Sequence, residues 1–228
     1  MSTLQPAAAA TGEPFAPRGQ AAPVPGTADD TRTRRAMLGA GGLLFAVGNL
    51  LHPLEHNEAA EHAATWAAAH VIFAIGAVLI AAGLPLFARR FGAGRLAAVA
   101  RVLTWVGFVT MPANAVVEVF VAPNVDHETL HAVESDMTVA AAPLGFAFIL
   151  GVLLFGVAAL RAGGPLRPVG TVLAAGGALL LVGPGLPIAE GYWIIPTTAA
   201  IGLAFTGVAV MAVTAGSRGT GRRRGGGS

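Results

Sequence analysis

The residues of this chain with chemical capacity are six histidines and a set of carboxylates, and their spacing groups them. His52-Pro53-Leu54-Glu55-His56-Asn57-Glu58 and His127-Glu128-Thr129-Leu130-His131-Ala132-Val133-Glu134 each carry His-x-x-x-His followed by a carboxylate two or three residues later. On a helix, positions i, i+4 and i+7 share a face, so His127, His131 and Glu134 can converge on one metal from a single stretch. His62, Trp66 and His70 form a second stripe at i, i+4 and i+8. Neutral imidazole with carboxylate suits Zn, non-haem Fe, Mn or Ni. The absence of Cys excludes thiolate sites and thiol chemistry. Neither copy is the His-Glu-x-x-His of zinc proteases. The plain alternative is that these groups are solvated helix ends.

Glu118 stands apart because it lies within the apolar stretch 115–121. An ionisable side chain inside a membrane span is costly, which directs it towards the bundle interior or a wet cavity. Asn114 precedes it by one helical turn, and Pro112 removes a backbone donor just before that. The alternative places Glu118 among lipid headgroups at an early helix end. A second break, Gly183-Pro184-Gly185 with Pro187, comes just before Glu190. The expected metal set is therefore His52, His70, Glu118, His127, His131 and Glu134, with a secondary polar cluster of His56, Glu58, His62, Asn114, Asp136 and Glu190. A divalent ion, Zn or Fe, is the expected cofactor, and bis-His haem b is the variant.

The elements that position these groups follow from composition. Of 228 residues, 54% are hydrophobic and 11% charged, with a mean hydropathy of +0.68. A soluble domain carries roughly 25% charged residues. Six apolar segments cover residues 36–54, 66–88, 96–122, 138–160, 169–188 and 192–215. About 20 helical residues cross a hydrocarbon core about 30 Å thick. Backbone groups there find no water, and the runs are continuous rather than alternating, so helices are expected and strands are not. The predicted fold is an all-α polytopic membrane protein with six transmembrane helices arranged as three hairpins. Residues 1–35, rich in Pro and Ala, read as a disordered tail, 36–215 as the transmembrane domain, and 216–228 as a basic Gly/Arg-rich tail.

Charge sets the topology. There is no Lys, and all 14 Arg fall on one side of a six-span arrangement with both termini. All six His and nine of the 12 acids fall on or near the other. The positive-inside rule makes the arginine side cytoplasmic and the locale the plasma membrane. The sequence pI of about 10.4 is thus a topology signal, and nucleic acid is not an expected partner; the lipid bilayer is. Trp66, Tyr192 and Trp193 are predicted to form an outer aromatic belt, with Trp105 packing internally. Thr33-Arg34-Arg35-Ala36-Met37-Leu38 resembles a twin-arginine export signal, with Met37 where Phe is usual. The favoured reading of that stretch is a positive flank of a membrane anchor. The Ala/Gly/Arg-rich composition points to GC-rich bacterial coding.

Three functional classes remain. The leading one is an outer-leaflet His/carboxylate metal site, catalytic if a coordination position stays open for water or substrate. The second is a small transporter or proton-linked permease using Asn114 and Glu118. The third is an accessory membrane protein without chemistry.

Overall fold

Apolar backbone that cannot reach water must bond to itself, and every long element of this chain is helical. The computed structural model describes residues 28–55, 57–89 and 94–220. Its helices are α1 (Ala28–Leu51), the single turn α2 (Glu58–Glu61), α3 (Ala64–Gly83), α4 (Arg95–Val116), α5 (His127–Ala162), α6 (Arg167–Val182) and α7 (Glu190–Thr220). No strand occurs among the described residues.

Local chemistry sets the helix ends beyond the apolar runs. α1 starts at Ala28, inside the segment expected to be a tail, because Arg34 has partners on both sides. Its Nε donates to Asp30 Oδ1 one turn earlier, at 2.8 Å, and its Nη1 to the Ala82 carbonyl near the end of α3, at 3.3 Å. That carbonyl is one of the last in α3, where a cation is favoured. Arg34, the first arginine of the pair that resembles an export signal, therefore bridges α1 and α3. α5 starts well before its apolar run because Asp126 caps it, accepting the Thr129 N–H at 2.7 Å. It stops where Gly163 and Gly164 take φ of 72° and 58°, values that favour glycine. Residues 1–27 and 221–228 lie outside the described residues.

Five helical stretches are long and apolar enough to cross a membrane: Ala64–Leu86, Arg95–Asn124, Ala141–Ala162, Gly164–Gly185 and Glu190–Met211. α1 is not among them, since its apolar run starts only after Arg35 and contains Asn49.

The expected hairpins recur as neighbours within a closed ring. α1 packs on α3, α3 on α4, α4 on α5, α5 on α6, α6 on α7, and α7 returns to α1. The α1–α7 closure is far more extensive than the α6–α7 pairing. Neighbours run antiparallel: Gly48 abuts Phe73 while Gly83 abuts Leu38, and Gly107 abuts Phe148 while Gly151 abuts Thr104. Aromatic rings fill the middle. Phe108 is fully buried and meets Phe45, Phe148 and Phe205 edge-on at centroid distances of 5.3, 5.2 and 5.4 Å. Such edge-to-face pairs align positive ring edges with negative faces.

Three aromatic expectations are overturned. Trp66 is 2% exposed, an interior residue and not part of a belt, whereas Trp105 is 47% exposed on the outer surface of α4. Trp193 is also buried, and only Tyr192 stands exposed as expected. Helix rotation decides this, and rotation is set by which face finds a neighbour.

Candidate functional site: a histidine cavity beneath an acidic mouth

At one end of the ring the six long helices part around a cavity of about 420 Å³. Its floor is Phe45, Phe73 and Phe148, directly above the Phe108 cluster. Its polar wall is His52, His70, Asn49, Asn114, Glu118 and Glu190. A second, outer chamber of about 700 Å³ shares Asn114, Glu118 and Glu190 with it and adds Glu55, His131 and Glu134. Among the described residues no Arg lines either chamber. The mouth is thus mainly acidic, and His52 and His70 lie deeper.

Two elements deliver those imidazoles. His52 follows the last residue of α1, its N–H bonded to the Asn49 carbonyl at 3.2 Å. His70 lies in the second turn of α3 and is buried. Their rings meet edge-to-face at 4.8 Å. Each ring fixes its own tautomer. His70 Nδ1 lies 2.9 Å from the Trp66 carbonyl and His52 Nδ1 lies 2.8 Å from the Pro53 carbonyl. A carbonyl only accepts, so Nδ1 carries the proton in both, and Nε2 is the unprotonated nitrogen of each ring. Metal-binding histidines commonly show this arrangement, with the second ring nitrogen committed to a carbonyl.

Glu118 comes from an altered helix. After Pro112, α4 continues to Val116 and then widens into a π-turn over Val117–Val121. Such turns recur at functional sites because they re-aim side chains. Glu118 is half-buried with Oε2 fully enclosed, and its carbonyl accepts the Trp66 indole N–H at 3.3 Å. Across the cavity the Thr198 hydroxyl donates to Asn49 Oδ1 at 2.6 Å, and Asn49 Nδ2 to the Phe45 carbonyl at 2.7 Å. Asn49, Thr198, Trp66 and Trp193 belong to this site, and the sequence reading did not assign them to it. Asn49, a polar residue inside the first apolar run, was the available signal.

The expected ligand set is dispersed along the depth of the site. His52, His70 and Glu118 border the inner cavity. His131 and Glu134 stand in the outer chamber, with Nδ1 3.9 Å from Oε2 and His131 70% exposed. Asn114 and Glu190 mark the junction. His62 is exposed in the turn before α3, so its stripe with Trp66 and His70 is broken, and Asp136 is exposed outside both chambers. His56 lies outside the described residues, as do the side chains of Glu58 and His127. Among the described residues no three His, Asp or Glu side chains come together as a ready metal cage. Beyond the mouth, Asp126 has its carboxyl held below the usual range, first by the Thr129 N–H and then by the Thr129 hydroxyl.

No known protein family, curated protein or solved structure matches this chain.

Proposed function

We propose that this is a six-span plasma-membrane protein that takes a divalent transition metal from the outer face into the His52–His70 cavity. His52 and His70 would supply imidazole nitrogens and Glu118 a carboxylate, a donor set suited to Zn or Fe. The observation that carries this reading is that His52, His70 and Glu118, from three different parts of the chain, line one cavity, with both imidazole Nδ1 atoms committed to backbone carbonyls. The acidic mouth supports it, since Glu55, Glu134 and Glu190 concentrate cations, with no Arg lining it among the described residues. Orientation rests on the arginines, which the positive-inside rule assigns to the cytoplasm.

A bound metal would act there as a Lewis acid or activate a water. Haem b suits the cavity less well, because the two rings touch and a porphyrin would have to prise them apart. A transport role draws no support from the core, where Phe45, Phe73 and Phe148 close the cavity floor and Phe108 and Phe205 pack beneath it.

The test is metal titration of the purified full-length protein in detergent with Zn2+, Fe2+ and Co2+. One equivalent should bind, and Co2+ should give ligand-field bands altered by His70→Ala or His52→Ala. Wild-type protein that binds none of the three ions sinks the reading.

A further inference from the structure

Resting on that metal reading, we infer that Trp66 is the positioning residue of the site. Four separate contacts converge on it. Its indole ring packs against His52 and His70 with centroid distances of 4.9 Å to each. Its carbonyl accepts the Nδ1 proton of His70, and its own Nε1–H donates to the Glu118 carbonyl across the α3–α4 seam. A single residue therefore touches both imidazoles assigned to the metal and the backbone of the residue that carries the carboxylate. It is among the largest fully buried side chains in the protein, so its own orientation is fixed by packing.

Each contact has a distinct consequence. The indole ring packs at 49° against both imidazoles and limits their rotation, and with it the direction of their Nε2 atoms. The indole N–H anchors the π-turn, in which backbone groups are out of α register and a carbonyl needs an outside donor. Holding the Glu118 carbonyl there fixes the turn from which the carboxylate projects. A structural tryptophan would need only to fill volume; this one orients three donors from three helices' ends.

The experiment compares Co2+ affinity and thermal midpoint for wild type, Trp66→Phe, and Trp105→Phe as an exposed control. Trp66→Phe retains a flat ring and loses the N–H. It should weaken Co2+ binding by about 10- to 100-fold, the usual effect of losing an outer-shell partner, while the midpoint moves by only a few degrees. A core substitution, Phe205→Leu, should do the reverse, lowering the midpoint with affinity unchanged. Equal affinity in wild type and Trp66→Phe overturns the inference. If Trp66→Phe does not fold, the wild-type indole N–H resonances, assigned by their loss in Trp105→Phe and Trp193→Phe, answer instead. Zn2+ should shift the Trp66 signal, and an unmoved signal overturns the inference. If wild type binds no metal, the metal reading fails separately, and diethyl pyrocarbonate labelling of the metal-free protein decides the positioning role. Labelling of His52 and His70 should rise several-fold in Trp66→Phe while His131 stays constant; unchanged labelling overturns it.

Discussion

Gly42 of α1 and Gly202 of α7 lie backbone to backbone, so close that a methyl group on either would collide with the other's carbonyl oxygen. Thr206 sits beside them and donates to the Gly39 carbonyl at 3.1 Å, making a hydrogen bond across the same seam. Close approach of small residues with an interhelical hydroxyl bond is the usual way helices associate in lipid, where burial from water gives no drive. This contact closes the ring and brings Asn49 and His52 opposite Thr198 and Trp193.

Gly42→Leu should therefore open the seam. The penalty for overpacking is about 1–3 kcal/mol or more, expected as a lowered thermal midpoint and a weakened cavity site together. Gly185→Ala, where an added Cβ meets nothing within 4 Å, is the matched control. Equal midpoints for the two variants would contradict the closure argument.

Phe108→Ala removes the hub of the aromatic core. Truncating a buried Phe costs about 3–5 kcal/mol, because Phe45, Phe148 and Phe205 each lose an edge-on partner. Denaturation in mixed detergent micelles should show the loss. A change below about 1 kcal/mol would mean that the neighbours collapse into the space.

The start of α5 should be acid-sensitive. Asp126 has a carboxyl pKa held below its ordinary value in the folded chain, chiefly by the Thr129 N–H. A lowered folded pKa contributes stability above the unfolded value and loses it as pH falls through the folded one. Amide exchange at Thr129 should hence accelerate below about pH 4, and Asp126→Asn should make it less dependent on pH. Exchange that is flat across that range would remove the cap from the account.

Sidedness can be read with single cysteines, since the chain has none of its own. Glu55→Cys should react with an impermeant maleimide on intact cells. Arg95→Cys should react only after permeabilisation. Arg32→Cys tests whether α1 crosses, because Arg32 and His52 flank its apolar run. Labelling of Arg32→Cys from outside would leave α1 on the outer face and reduce the spans to the five apolar helices.

The helical, membrane-compatible character of this protein was legible in the chain because it depends on runs of single-residue properties. A window of Leu, Val, Ala and Ile reads as apolar whatever its neighbours are, and the five helices long and apolar enough to cross a membrane fall on predicted segments. Helix ends were less legible. Asp126 and Arg34 extend α5 and α1 through specific hydrogen bonds that hydropathy does not register. Glu118 and Asn114 were visible as polar interruptions, but the π-turn that aims Glu118 was not, since no local residue type demands it.

Only the tertiary structure decided which histidines meet. The sequence offered His52, His70, Glu118 and His131 as one set from different helix ends, beside the short-spacing groups, and the structure brings His52 against His70 while His131 stands in the outer chamber. Spacing along one helix fixes relative direction but leaves the rotation of the whole helix open. That rotation is set by glycine seams such as Gly42 with Gly202 and by the aromatic core, both built from residues distant in the chain. It turned Trp105 outward and Trp66 inward, and so turned a presumed belt residue into the centre of the site.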